Sequence, residues 1–161
     1  MLLLIIIHIL DSMNILCTNK KSSYKYTILK KMEAGLVLDG WEVKSLKAGH
    51  GQISESYVSI KDNEAYLINS HIKILKTTND NNSVNSKRSR KLLLNKKELN
   101  SIIGEIRLNG YTLIPIKIYT KKALIKIEIA IVKGKKTHDK RADIKKKEWN
   151  RQKERILKKK Y

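Results

Sequence analysis

A chain of 161 residues with 41% hydrophobic side chains can bury a core without help from disulfides or metals. Its 35 Lys and Arg against 15 Asp and Glu leave a net charge of +20, a self-repulsion best explained by a polyanionic partner, nucleic acid first. The single cysteine, Cys17, excludes an internal disulfide framework and a thiolate zinc site and fits a reducing compartment. His8, His50, His71 and His138 are scattered without ligand spacing, so no metal and no other cofactor is expected.

Residues 1–10 are almost wholly apolar, too short to span a bilayer, and lack the basic start and small-residue cleavage site of a signal peptide. From Tyr24 to Leu38 the residues favour extended structure, with Tyr24, Tyr26 and Ile28 alternating against Lys25 and Thr27. A short helix is expected around Trp41 to Ser45, stopping at Gly49, where glycine tolerates a left-handed cap. Residues 56–61 and 64–68 read as strands joined by Asp62-Asn63, a pair suited to a two-residue hairpin. Lys76 to Arg90 is polar, reads as a loop, and leads into the basic cluster Lys87-Arg88-Ser89-Arg90-Lys91.

A helix capped by Asn95, with Glu98 three residues on, sets Leu99, Ile102, Ile103 and Ile106 on one apolar face and exits at Gly110. That face reads as core packing. Thr112 to Tyr119 forms a strand whose Pro115 places it at an edge or a bulge. Leu124 to Val132 alternates Ile125, Ile127, Ile129 and Ile131 against Lys126 and Glu128, the best strand signal in the chain. Several antiparallel strands with short helical insertions predict a mainly β fold, a small closed barrel that leaves few open edges.

From Lys133 to Lys160 fourteen basic residues face four acidic ones, a net of +10. Ala142, Ile144, Trp149, Ile156 and Leu157 offer too little apolar area to order this tail alone, so it is expected to lack structure when free. The pairs Asp143 with Lys147 and Glu154 with Lys158, and the absence of Gly and Pro from Ala142 onward, equip it to become a helix once an anion neutralises it.

Several runs resemble the SsrA-binding, or small protein B, family. They are Glu33-Ala-Gly35, residues 40–49 (GWEVKSLKAG), Ser56-Tyr-Val58, Arg90-Lys-Leu-Leu-Leu94, residues 110–115 (GYTLIP) and residues 134–141 (GKKTHDKR). They follow the family's order and spacing from about Asn19 to the C-terminus, which favours Met13 over Met1 as the initiator. The resemblance implies an oligonucleotide-binding-like antiparallel barrel over residues 19–132, between an N-terminal extension at 1–18 and a basic tail at 133–161.

It further implies a cytoplasmic monomer that binds transfer-messenger RNA and delivers it to stalled ribosomes. The tail would probe the empty messenger channel and the decoding centre of the small-subunit rRNA, and elongation factor Tu would be met indirectly through the charged RNA. Asn19, Glu33 and Leu93 match family positions that touch the RNA or shape its surface, while Lys20, Lys21, Lys44, Arg88, Arg90 and Lys91 are expected on RNA, chiefly on phosphates. Gly134, Lys135, Lys136, His138, Asp139, Lys140, Arg141, Ile156 and Leu157 make up the expected ribosome-facing tail. The segment Ser22-Ser23-Tyr24 departs from the family, as does the missing Asp-Pro turn before Arg88.

Three other readings compete with this one. A general RNA-binding or ribosome-associated barrel fits the charge and the fold equally well. An enzyme such as a nuclease lacks a carboxylate cluster, a phosphate loop and a nucleophile–base pair in the sequence. A membrane-surface tail would need a broader apolar face than this one has.

Overall fold

The computed structural model describes residues 13–75 and 85–159. Among these residues, nine strands and four helices run in the order β1 (Asn14–Thr18), α1 (Ser22–Lys25), β2 (Tyr26–Leu36), α2 (Gly40–Lys47), β3 (Gly51–Gln52), β4 (Tyr57–Lys61), β5 (Glu64–Ile68), β6 (His71–Ile72), β7 (Arg90–Leu93), α3 (Lys96–Asn109), β8 (Thr112–Lys121), β9 (Leu124–Gly134) and α4 (Thr137–Lys159). Seven strands form one antiparallel sheet in the order β1-β8-β4-β5-β7-β2-β9, with β8 also pairing β9; β3 and β6 make a separate two-stranded ribbon.

Local chemistry sets most of these boundaries. Asp62 and Asn63 both take positive φ, 49° and 61°, closing the β4–β5 hairpin with the turn that matches strand twist. Each longer inner helix begins with a carboxylate folded back on its cap: Glu42 accepts from the Asp39 N–H at 2.9 Å, and Glu98 from the Asn95 N–H at 3.1 Å. Gly110 ends α3 in the left-handed conformation. Proline at 115 is accommodated by a bulge, because the register with β9 slips between Pro115 and Lys117. The strand is interior, with neighbours β1, β4 and β9, so the edge alternative does not apply.

The alternating isoleucines of β9 behave as their period predicts. Ile127, Ile129 and Ile131 are fully buried with Leu46, Leu67, Ile102 and Leu113 in the main core. The opposite face of β8 and β9 is not all polar: Ile114, Ile116, Ala130 and Val132 form a second buried cluster against Tyr26 and Ile28.

Three sequence expectations are corrected here. Extended structure does not start at Tyr24, because residues 22–25 make one helical turn. Ser22 drives that turn, donating both its N–H (3.2 Å) and its hydroxyl (2.8 Å) to the Asn19 carbonyl. The sheet also takes in Asn14–Thr18, so the last residues of the expected N-terminal extension pair with β8. Finally, Lys133 and Gly134 belong to β9, and the tail element begins only at Thr137.

Residues 1–12, including the apolar start, and 76–84 of the polar loop lie outside the described residues. The tail is a helix of 23 residues whose Trp149, Ile156 and Leu157 are exposed. The Lys135–Asp143 pair, at 2.6 Å, ties the start of this helix to the end of β9. Among the described residues no helix is long and apolar enough to cross a membrane.

Candidate nucleic-acid interface

Strand β2 carries Glu33 to the surface directly opposite Glu128 of β9. Two carboxylates in register repel unless cations intervene. Here they do: Lys31 (3.0 Å) and Lys117 (3.3 Å) approach Glu128, while Lys121 (3.3 Å) and Lys126 (4.0 Å) approach Glu33. The buried Tyr119 donates its hydroxyl to Glu33 Oε2. That bond, then Lys121 and Lys126 against some desolvation, holds the Glu33 carboxyl below its ordinary value. Burial and the adjacent carboxylate push the Tyr119 phenol up, so it remains a donor. The outcome is an ionised, oriented carboxylate whose Oε1, among the described residues, meets only the distant Lys126.

Beside it lies a groove of about 830 Å³ whose lining includes Lys30, Lys31, Glu33, Leu93, Lys97 and Lys126. Leu93 is 56% exposed on β7, an unusual position for leucine in so charged a setting. It stands opposite Gly35 of β2, where a Cβ would come within 3.0 Å of the Leu93 Cβ. Glycine at 35 thus lets Leu93 lie down over the sheet. An apolar side chain next to an oriented acceptor and four ammonium groups can pack on an unstacked base, accept from its edge and meet the flanking phosphates. Lys30, Lys31, Lys97 and Lys126 were not singled out from the sequence. The outward phase of Lys126 on β9 was the one signal available for any of them.

The basic cluster before β7 divides in a way its sequence does not announce. Arg90 was expected on a phosphate and is instead fully buried. Its guanidinium donates to Glu42 Oε1 (2.8 Å), to Ser70 O (2.9 Å) and Oγ (2.7 Å), and to the carbonyls of Arg88 (3.0 Å) and Ser86 (3.0 Å). Enclosed on every side, the guanidinium does not reach the surface, so Arg90 is a structural residue. Arg88 caps the same network from the surface, paired with Glu42 and with Asp39 at 3.1 Å, its side chain 29% exposed. Lys91 points outward and pairs with Glu64, whose carboxyl is lowered chiefly by that bond.

Asn19 is also buried, at 4% exposure. Its amide donates to the Pro115 carbonyl at 3.1 Å and its Oδ1 accepts from the Lys21 N–H at 3.2 Å, so it shapes the surface that presents Lys20 and Lys21. Lys20 is exposed, and Lys21 pairs with Glu55 at 2.6 Å. Lys44 is exposed on α2 and does not line the groove.

At the tail's root, Gly134 closes β9 and Lys135 Nζ bridges Ser23 O (2.7 Å) and Asp143 Oδ2 (2.6 Å), fastening α4 to α1. Asp139 accepts from the Lys136 N–H at 3.3 Å and caps the helix. Asp139, Arg141, Ile156 and Leu157 are exposed, whereas the side chains of His138 and Lys140 lie outside the described residues. No group of three or more His, Cys, Asp or Glu able to hold a metal occurs among the described residues.

A sequence model described as SmpB protein matches residues 16–159. The SsrA-binding protein of Ruthia magnifica subsp. Calyptogena magnifica is 49% identical over 147 residues, covering 91% of this chain and 89% of the relative. That of Coxiella burnetii (strain Dugway 5J108-111) is 47% identical over 140 residues, covering 87% and 88%. That of Paraburkholderia xenovorans (strain LB400) is 47% identical over 139 residues, covering 86% and 94%. Among solved structures, a chain from "tmRNA-SmpB: a journey to the center of the bacterial ribosome" superposes with a TM-score of 0.62 at 38% identity, covering 75% of this chain and 85% of that one.

Proposed function

The chain belongs to the SmpB family of SsrA-binding proteins, and from that premise we propose that it binds transfer-messenger RNA and delivers it to stalled ribosomes in trans-translation. The observation that carries this reading beyond ancestry is the groove between Glu33 and Leu93. It combines an apolar platform, an oriented acceptor and flanking lysines, which suits an RNA loop with splayed bases better than a regular duplex. In this role the chain makes and breaks no bond. It works as a monomer on the cytoplasmic ribosome and meets elongation factor Tu only through the charged RNA.

Two finer statements go with it. The sheet order returns to β8 through β9, which supports a closed oligonucleotide-binding-like barrel. The division of labour follows the charge: Lys20, Lys21, Glu33, Lys91 and Leu93 face transfer-messenger RNA, and the tail from Thr137 faces the ribosome. Exposed Trp149, Ile156 and Leu157 have no core to serve and are free for rRNA. The helix of the tail gains its full order on the ribosome, because burial contributes so little to it in the isolated chain.

The test is affinity for transfer-messenger RNA against mature transfer RNA at physiological salt, where shared phosphate attraction cancels. A preference of about a hundredfold, roughly 2.7 kcal/mol, is expected. Equal binding would return the chain to the general RNA-binding class. Deleting everything after Lys133 should leave that preference in place and abolish peptide tagging; normal tagging would remove the role given to the tail.

A further inference from the structure

A smaller pocket, of about 120 Å³, opens beside the N-terminal basic residues, away from the Leu93 groove. Lys21, Lys25, Tyr26, Glu55, Ser56 and Tyr57 are among its walls. Ser56 is 5% exposed, and its Oγ has no hydrogen-bond partner among the described residues. A buried hydroxyl in that state gives up its hydration and gains nothing from the fold, so alanine would serve stability at least as well. The hydroxyl keeps its full hydrogen-bonding capacity for a group that enters the pocket.

The surroundings narrow what that is. Lys21 and Lys25 converge on one carboxylate, Glu55, at 2.6 and 3.6 Å. A phosphate can take the place of that carboxylate between the two ammonium groups, and both lysines sit within six residues of the buried Asn19 that fixes this loop. Tyr57, 46% exposed next to Ser56, offers a ring for a base. A serine hydroxyl both donates and accepts. The one RNA group with the same double character, and the one DNA lacks, is the ribose 2′-hydroxyl.

We propose that this pocket takes a ribose of the bound RNA, with Ser56 Oγ exchanging a hydrogen bond with its 2′-hydroxyl while Lys21 and Lys25 meet the adjoining phosphate. The site makes the chain select RNA over DNA at that nucleotide, a role distinct from base recognition in the Glu33–Leu93 groove. It rests on the reading of the chain as a binder of transfer-messenger RNA.

The experiment uses the full chain and the transfer-RNA-like domain of transfer-messenger RNA, assembled with single 2′-deoxy nucleotides at successive positions. Affinities are measured for wild type and for Ser56→Ala. One or two deoxy positions should weaken the wild type by about five- to tenfold. Ser56→Ala should weaken the all-ribose RNA by a similar factor, and those deoxy positions should then cost the variant nothing more. Its melting temperature should equal or exceed the wild-type value.

Two results would overturn the proposal: a Ser56→Ala chain that binds the all-ribose RNA like wild type, or a loss that adds in full to that of every deoxy position. The second would mean that the hydroxyl serves a phosphate or the fold. If the wild type does not prefer this RNA over mature transfer RNA, the failure lies in the RNA reading itself and takes the pocket's role with it.

Discussion

Glu42→Ala should destabilise this fold by about 4 kcal/mol. The side chain is fully buried, and its two oxygens accept from Arg90 Nε, from Arg88 Nε and Nη2, and from the Asp39 N–H. Removing one partner of a buried ion pair strands the other, at a cost of about 3–5 kcal/mol. Losing the reciprocal cap of α2 adds about 1 kcal/mol. The four neutral acceptors that Arg90 keeps, on Ser70, Ser86 and Arg88, offset part of that sum.

In a domain of this length each kcal/mol moves the melting temperature by about 2–4 °C, so a drop of roughly 8–16 °C is expected. Urea unfolding followed by circular dichroism measures the free energy directly. Arg88→Ala, which leaves the Glu42–Arg90 pair intact, should cost about 1 kcal/mol. The double variant Glu42→Leu with Arg90→Met should be at least about 1 kcal/mol more stable than the worse single change, since no stranded charge remains. A Glu42→Ala loss under about 1 kcal/mol, or a double variant as unstable as the sum of its singles, would refute the account of the network.

Leu93→Ala should leave stability within about 0.5 kcal/mol, because the side chain is 56% exposed, yet weaken transfer-messenger RNA binding roughly fivefold by filter binding. Gly51→Ala would place a Cβ 2.5 Å from Leu46 Cδ2 and 3.3 Å from Cys17 Sγ, so overpacking should cost about 1–3 kcal/mol in denaturant titrations. Acid titration tests the Tyr119 bond. The Glu33 carboxyl is held below its ordinary value in the folded chain, so the stability it contributes is present above the ordinary carboxylate range and is lost as pH falls through the lowered one. Tyr119→Phe removes the largest cause of the lowering. Its urea midpoint should therefore vary less with pH in the acid range than the wild-type midpoint, and parallel curves would count against the bond.

Features that depend on neighbours along the chain are legible in the residues alone. The isoleucine period of β9, the Asp62-Asn63 turn, the caps at Asn95 and Gly110 and the basic character of the tail are all local, and local rules read them correctly. So were the motif runs that carry the family resemblance. Tertiary structure alone decided how like charges differ in role. Arg88, Arg90 and Lys91 are near-equivalent in sequence, but strand alternation and the position of α2 bury Arg90 on Glu42 and leave Lys91 at the surface. The same holds for Asn19, spent on a turn 96 residues from its acceptor Pro115, and for Tyr119, which reaches Glu33 across 86 residues. Burial and long-range pairing, which set whether a polar group serves the fold or a ligand, are properties of the packed chain and leave no mark on residue type.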